Sequence, residues 1–344
     1  MHYGCSFIPP YIFQHIASAG DLRQRQIAFL NLTIAAELRG ERKAFSSFSS
    51  LLSVPPGVKR RTIYDAENGM SLPGRMVRSE GELPLADVSV NEAYDGTGSM
   101  YDFFISVFDR NSIDAHGMQL DSTVHYRKLF SNAFWNGQQM VFGDGDGEIF
   151  LRFTGSLDII AHEMTHGITQ FESGLRYTGQ QGALNESVSD VFGALAVQHH
   201  QNQRADEADW LIGAGLFTSQ INGVAIRSMK APGTAYDDPL IGKDEQPAHM
   251  EDYVETTEDN GGVHINSGIP NKAFYNLAIG AGGYAWEIAG RIWYRVVLEK
   301  LKADTTFEQF AAMTNEVSGT LYGTRSKEQQ LVKHAWADVG IDVK

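Results

Sequence analysis

Residues 162–166 read HEMTH, and this segment constrains the chain more than any other. On a helix, residues four positions apart lie on one face, so the imidazoles of His162 and His166 can bind a single metal ion. Glu163 projects beside them, where its carboxylate can take a proton from a metal-bound water. Glu186 lies 20 positions after His166 and offers a third ligand from a second helix. Three protein ligands leave one coordination position open, as a catalytic zinc requires, so the pattern predicts a zinc hydrolase.

The residues around the motif indicate a buried helix. Apolar residues between Leu157 and Ile160 precede it, and Ile168 follows it. Polar side chains inside such a helix need partners, which favours a metal site over an ordinary surface pair of histidines. Asp190, four positions after Glu186, is placed to accept a hydrogen bond from the imidazole of a metal ligand.

Other zinc proteases differ in the residues that follow the motif. An extended metzincin motif needs Gly and His where this chain has Thr169 and Glu172, and a Gly-x-Met-Glu-Asn exopeptidase motif is absent from the sequence. Over most of residues 60–344 the sequence instead resembles the thermolysin family of neutral endopeptidases. The resemblance rests on six motifs in order: RNSID (110–114), NAFWNGQQMVFGDGDG (132–147), HEMTHGIT (162–169), GALNESVSD (182–190), RSM (227–229) and EDNGGVHINSGIPNKAFY (258–275). Within that family, the short N-terminal extension with PPYI (9–12) resembles the protealysin-like enzymes, whose precursors lack a long propeptide.

The resemblance implies an α+β fold, a thermolysin-like two-domain zincin with the substrate in the cleft between its domains. We expect a β-rich N-terminal domain over residues 51–177 that carries the zinc helix, and a mainly helical C-terminal domain over 178–344. Residue patterns predict strands within 61–66 and 139–145, and helices within 99–110, 286–301 and 327–338.

Residues 1–50 form a separate unit, which the resemblance identifies as a helical propeptide that is removed on maturation. Apolar residues recur at spacings of three and four from Ile27 to Leu38, which predicts an amphipathic helix between about Asp21 and Gly40. The run FSSFSSLLSVPPG (45–57) has the composition of a linker and processing site. An N-terminal cap that stays attached is the alternative.

The resemblance also implies catalytic roles. His162, His166 and Glu186 would bind one catalytic zinc, and Glu163 would serve as general base and then as the acid for the leaving amine. Tyr177 and His264 would donate hydrogen bonds to the oxyanion that forms on the reacting carbonyl. Asp259 would be the partner of His264, and Asp190 the partner of His162.

Substrate contacts follow from the same resemblance. Arg227 would hold the carbonyl just past the scissile bond, while the Asn132 side chain and the Ala133 backbone would bind neighbouring peptide groups. The pocket for the residue after the cleaved bond would be apolar, which predicts cleavage before Leu, Phe, Ile or Val. Its matching positions are Phe150, Phe153, Ile159 and Ile226, although four apolar residues could equally belong to the core alone.

Calcium binding is expected to be reduced. Relatives in the family bind a calcium pair through a cluster of acidic residues, of which Asp158 and Asp209 are retained here. Val197, Leu211 and Ala214 stand where relatives carry Glu, and calcium needs six to eight oxygen ligands. We therefore expect that the double site is lost, while a single calcium elsewhere is left open.

The resemblance implies protein or peptide substrates and the chain's own propeptide as partners. The net charge of −14 is spread along the chain, which argues against nucleic acid, and no apolar run is long enough to span a membrane. We expect a monomer. The N-terminus lacks a classical signal peptide, so we expect cytoplasmic synthesis, with non-classical secretion left open. The single cysteine, Cys5, is either inert or a latency ligand for the zinc.

Two other functions compete with a zinc endopeptidase. A protein that keeps the fold without turnover would have lost the base or a metal ligand, whereas Glu163 and all three ligands are retained. A zinc exopeptidase would need a group that holds a free chain terminus, and the sequence offers none that we can identify.

Overall fold

The computed structural model describes residues 6–41 and 55–343. Cys5 and most of the predicted linker therefore lie outside the described residues. Ten helices and nine strands are formed in this part of the chain.

Two N-terminal helices, α1 (Pro10–Ala19) and α2 (Leu22–Glu41), pack against each other and against the rest of the protein. Pro10 at the first turn of α1 suits a helix start, because the missing N–H would have no partner there. The amphipathic helix predicted between Asp21 and Gly40 is confirmed as α2. Its residues Ile34 and Leu38 are buried in a cluster with Ala66, Tyr126, Phe130, Phe134 and Val141.

A five-stranded sheet follows, formed by β1 (Arg61–Asp65), β2 (Arg75–Ser79), β3 (Leu120–Val124), β4 (Ala133–Trp135) and β5 (Met140–Phe142). The spatial order is β2-β1-β3-β5-β4. The three central strands are parallel, whereas β2 and β4 are antiparallel to their neighbours. The strands predicted within 61–66 and 139–145 are β1 and β5.

Helix α3 (Val88–Phe108) connects β2 to β3 and begins earlier than the predicted residue 99. Asp87 caps its N-terminus by accepting a hydrogen bond from the Val90 amide. Two glycines in its middle weaken the helical pattern in the sequence. One of them, Gly96, lies against the helix that carries the HEMTH motif, because a Cβ there would approach the Ile160 Cδ1 atom to 2.3 Å.

Helix α4 (Leu157–Glu172), which carries the HEMTH motif, joins the sheet region to a helical C-terminal part and packs against α5 (Gly179–Gln201). Two short hairpins follow, β6 (Leu211–Ile212) with β7 (Arg227–Ser228) and β8 (Asp237–Asp238) with β9 (Gly242–Lys243). The remaining helices are α6 (Asp259–Asn266), α7 (Gly268–Ala281), α8 (Ala289–Glu299), α9 (Phe307–Tyr322) and α10 (Lys327–Ala337). The predicted α+β fold is confirmed, and the helices predicted within 286–301 and 327–338 are α8 and α10. Within the described residues, no helix combines the length and apolarity needed to cross a membrane.

Candidate active site and metal centre

The HEMTH motif lies in the middle of α4, between the sheet and α5. His162 and Glu163 are fully buried, and only 4% of His166 is exposed. The apolar neighbours predicted from the sequence bury the helix on almost every side from Asp158 to Thr169.

Three donor groups converge where α4 packs against α5. The Nε2 atoms of His162 and His166 lie 3.0 Å apart, and the Glu186 carboxylate lies 3.3 Å from the first and 3.4 Å from the second. Within the described part of the chain, this is the only group of three or more such residues arranged to hold a metal ion.

The outer nitrogens of both imidazoles already have partners. His162 Nδ1 lies 2.9 Å from the Asp190 carboxylate, and His166 Nδ1 lies 2.8 Å from the Asn185 side-chain oxygen and 3.1 Å from Ser189 Oγ. With Nδ1 donating, each Nε2 presents a lone pair to the other and to a carboxylate, an arrangement that fits a bound cation. Two imidazoles and one carboxylate form a donor set typical of catalytic zinc. Asn185 and Ser189 were missed by the sequence analysis, although their positions beside Glu186 on α5 offered a signal.

Asp190 links this centre to Arg227. The fully buried Arg227 guanidinium donates two hydrogen bonds of 2.8 Å to the Asp190 carboxylate, which also accepts one of 2.9 Å from the Asn271 side chain. Burial alone would raise the pKa of Asp190, but the charge of Arg227 and the contact with His162 lower it to about 2. The contact with Asn271 was not predicted.

Tyr177 and His264 meet at the other side of Glu186. The Tyr177 hydroxyl donates to Glu186 Oε1 at 2.5 Å and lies 3.2 Å from His264 Nε2. Asp259 accepts hydrogen bonds from His264 Nδ1 at 2.6 Å and from the His264 amide at 2.7 Å. Burial lowers the pKa of His264, but Asp259 outweighs this effect and raises it above its ordinary value.

A tight turn brings His264 to this position. Asn260, Gly261 and Gly262 all have φ values between 53° and 85°, a left-handed region that glycine adopts without strain. The two glycines allow Asp259 and His264 to face each other within one short element.

An extended segment of the N-terminal unit passes directly through this site. The Phe7 amide donates to the Ala133 carbonyl oxygen on β4 at 3.1 Å. The Ile8 amide donates to the Asn132 side-chain oxygen at 2.8 Å, and the Asn132 amide group returns a weaker bond of 3.4 Å to the Ile8 carbonyl oxygen. The edge of the sheet is therefore occupied by residues of the chain itself.

The carbonyl groups of the same segment face the side chains on the opposite wall. Arg227 donates to the Phe7 carbonyl oxygen at 3.1 Å, and His264 Nε2 donates to the Ser6 carbonyl oxygen at 2.9 Å. Three consecutive residues of this segment thus contact Asn132, Ala133, Arg227 and His264. The sequence analysis did not predict these contacts.

The Phe7 side chain fills an apolar pocket beside the metal centre. Its ring is fully buried, with its centroid 5.3 Å from the His162 ring and 6.5 Å from the Phe153 ring. The four pocket residues suggested by the sequence are fully buried in the same cluster as Phe7: Phe150, Phe153, Ile159 and Ile226.

Gly213, at the end of β6, closes the bottom of this pocket. A Cβ at this residue would lie 2.9 Å from Ile226 Cγ1 and 3.2 Å from two atoms at the far end of the Phe7 ring. The Gly213 amide donates to Asp158 at 2.6 Å, which fixes its position relative to α4. A single glycine between apolar residues carries no signal of its own, and this contact was not predicted.

A separate cavity of about 290 Å³ lies behind Asp158. Asp158 and Asp209 are the only acidic side chains among its lining residues, and Val197, Leu211 and Ala214 line it as well. The Asp158 carboxylate is engaged by Ser156, Ile159 and Gly213. Burial raises the pKa of Asp158.

Comparison with known proteins gave consistent matches along the chain. Residues 59–170 match the catalytic domain of thermolysin metallopeptidases, and residues 173–341 match their alpha-helical domain. An extracellular metalloprotease of Pectobacterium carotovorum subsp. carotovorum is 50% identical over 341 residues, which cover 99% of this chain and 97% of the relative. Protease PrtS of Photorhabdus sp. (strain Az29) is 48% identical over 343 residues, covering 98% and 92% respectively. The solved precursor of protealysin, a metalloproteinase from Serratia proteamaculans, matches with a TM-score of 0.90 at 52% identity, covering 98% of this chain and 99% of that one.

Proposed function

This chain belongs to the thermolysin family of zinc-dependent metalloendopeptidases, and we propose that it is a precursor whose N-terminal segment blocks its own substrate site. The observation that carries the proposal is the path of Ser6, Phe7 and Ile8 across the residues assigned to substrate binding.

We assign the metal ligands to His162, His166 and Glu186, whose donor atoms lie within 4.8 Å of one another. These residues would hold a zinc ion, which would supply Lewis-acid chemistry and a water with its pKa lowered to about 7. Glu163, one residue after the first ligand, accepts the proton of the attacking water and passes it to the nitrogen of the leaving amine.

Negative charge on the attacked carbonyl oxygen is stabilised by Tyr177 and His264. Asp259 supports this role of His264, because its charge raises the pKa of the imidazole and favours the protonated ring, in which Nδ1 donates to Asp259 and Nε2 is a second donor. On the leaving side, Arg227 and the Asn132–Ala133 segment hold the peptide groups that follow the cleaved bond.

The apolar pocket supports cleavage on the N-terminal side of bulky hydrophobic residues, since a Phe ring already fills it. The segment in the cleft continues in both directions along the chain, which supports an endopeptidase over an exopeptidase. A silent binding relative is disfavoured, because the assigned base, ligands and oxyanion donors are all present.

Latency follows from the way in which the N-terminal unit is anchored. On α2, the buried Asn31 accepts a hydrogen bond of 2.8 Å from the Ser131 amide and donates one of 3.1 Å to the Leu129 carbonyl oxygen. These bonds hold α2 directly beside the Asn132–Ala133 segment. We propose that residues 1–50 are the propeptide, that 51–177 and 178–344 are the two domains of the mature enzyme, and that substrate enters once the propeptide leaves.

Three further properties are part of the proposal. We infer that the double calcium site is lost, which is supported by the apolar side chains around the cavity behind Asp158. We propose action outside the cell, as the name of the Pectobacterium relative states for that protein. The monomeric state stays a prediction.

Mass spectrometry of a denatured protein substrate tests the proposed function. Processed enzyme with stoichiometric zinc is expected to release internal fragments that begin with Leu, Phe, Ile or Val. A zinc chelator, and separately the Glu163→Gln variant, should each abolish these fragments. Stepwise loss of terminal residues would instead indicate an exopeptidase, and no cleavage at all would favour a binding role.

A further inference from the structure

The backbone of residues 6–8 makes the contacts that the proposed function assigns to a bound substrate. The amides of Phe7 and Ile8 donate to Ala133 and Asn132, and the Phe7 carbonyl oxygen accepts from Arg227. An inhibitory segment bound in the reverse direction would present its donors and acceptors in the opposite order along the cleft.

The bond that this register places at the reacting centre is the one between Ser6 and Phe7. The Ser6 carbonyl oxygen accepts a hydrogen bond of 2.9 Å from His264, whose Nε2 lies 3.2 Å from the Tyr177 hydroxyl. The next nitrogen along the chain, that of Phe7, is held by Ala133. The Phe7 ring lies 5.3 Å from that of His162, so the pocket and the metal side of the site are engaged together.

We propose that the Ser6–Phe7 peptide bond is itself a substrate of this site, so that the precursor removes its own residues 1–6. The inference rests on the proposed function and adds a second cleavage to the one in the linker. Water adds its oxygen to the Ser6 carbonyl carbon, and the bond from that carbon to the Phe7 nitrogen breaks. Glu163 carries one water proton to that nitrogen and the second proton ends on the same amine, which leaves a carboxylate on Ser6. Water is the only co-reactant.

Cleavage at this bond does not free the site. Phe7 stays attached to α1, and the next anchors along the chain, Ile12, Phe13 and Ile16, are buried in the main core cluster. The new amine is therefore held next to Ala133, and the pocket stays filled by the same ring. The cut precursor is expected to remain latent, and each molecule performs this reaction once.

Intact-mass spectrometry of the full-length precursor with zinc tests the inference. We expect the loss of residues 1–6 and a new N-terminus at Phe7, with a rate constant that does not change when the precursor is diluted. Glu163→Gln should abolish the cut. Phe7→Leu should preserve it, Phe7→Asp should abolish it, and Phe29→Asp, on the exposed face of α2, should leave it unchanged. Thermal melting of the Phe7→Asp precursor shows whether that variant has remained folded.

Two results would overturn the inference. One is a cut whose rate rises with precursor concentration, because the bond would then be cleaved by another molecule. The other is a zinc-loaded precursor that keeps residues 1–6 while the processed enzyme cuts a protein substrate before apolar residues, in which case the proposed function stands. If the processed enzyme also fails to cut, both proposals fail.

Discussion

The Arg227 guanidinium binds both oxygens of the Asp190 carboxylate through hydrogen bonds of 2.8 Å, and one of those oxygens also accepts from His162. A single buried carboxylate therefore connects a group assigned to substrate binding with a group assigned to metal binding. Changing this carboxylate must affect both at once.

Replacing Asp190 by Asn is expected to weaken zinc binding by about 10–100-fold, as the loss of a partner behind a ligand imidazole commonly does. It also leaves the buried Arg227 without its counter-charge, which lowers the free energy of unfolding by about 3 kcal/mol. Zinc affinity is measured by competition with a chelator at a temperature where the variant is folded. Asp209→Asn, at an exposed carboxylate, serves as control, and unchanged zinc affinity in Asp190→Asn would contradict the assignment.

Removing the Tyr177 hydroxyl tests the oxyanion assignment. Tyr177→Phe in the processed enzyme is expected to lower kcat by about 10²–10³-fold with little change in KM, because the lost hydrogen bond acts in the transition state. The hydroxyl also contacts Glu186, so zinc content must be measured in parallel. Tyr322→Phe removes an exposed hydroxyl and should be neutral. A variant with normal zinc content and a kcat close to the parent value would exclude this role.

Local periodicity explains which parts of the structure the sequence could predict. The HEMTH spacing places two histidines on one helical face, and this arrangement does not depend on what the helix packs against. The same reasoning located α2, α8 and α10. The start of α3 was missed because Gly96 weakens the local pattern, while its close approach to Ile160 depends on tertiary packing.

Contacts between distant segments explain what the sequence could not predict. The bond from Arg227 to the Phe7 carbonyl oxygen joins residues 220 positions apart, and that from Asn271 to Asp190 joins residues 81 positions apart. Phe7 stands in no local pattern that indicates a role, and Asn271 lies within the motif at 258–275 without any sign of which residue it contacts. The resemblance to a family supplied Arg227 and Asp190, but not the segment of the chain that occupies their site.

Calcium is expected to have no effect on thermal stability. The cavity behind Asp158 has two carboxylates among its lining residues, and the one of Asp158 is already held by Ser156 and two backbone amides. A calcium ion needs six to eight oxygen ligands. The melting temperature at constant zinc should therefore stay the same as calcium is added. A rise in melting temperature with two tightly bound calcium ions per chain would show that the double site is intact.

His125 predicts a pH-dependent contribution to stability. Its ring lies 2.8 Å from Asp144 and 2.9 Å from Asp87, the residue that caps α3. The hydrogen bond to Asp144, followed by that to Asp87, raises the pKa of His125 from 6.5 to about 9. Because the folded-state pKa is raised, the stabilisation is complete below about pH 6.5 and is lost as the pH rises through about 9.

The His125→Gln variant measures this contribution. In a Glu163→Gln background, which avoids self-digestion, the variant should be less stable at pH 6 by on the order of 1 kcal/mol, a value reduced for partial exposure. The difference should shrink towards pH 9 in urea unfolding. His334→Gln, at an exposed position of α10, is the control. A difference that grows with pH would show that His125 is not held in its charged form.

Gly213 is expected to set the depth of the pocket that accepts the residue after the cleaved bond. A Cβ at this position would press against the far end of a Phe ring and against Ile226. The hydrogen bond from the Gly213 amide to Asp158 restrains the backbone at this position. Gly213→Ala should therefore lower kcat/KM for peptides with Phe after the cleaved bond by about tenfold or more, while peptides with the shorter Val are affected less.

The chain provides a matched control for this prediction at Gly215. Gly213 and Gly215 have φ values of 72° and 75°, so alanine carries the same backbone strain at both positions. A Cβ at Gly215 would meet no atom within 4 Å. Gly215→Ala should therefore leave the ratio of kcat/KM between Phe and Val peptides unchanged, whereas Gly213→Ala should shift it towards Val. Equal effects of both substitutions would mean that backbone strain, and not pocket depth, determines the outcome.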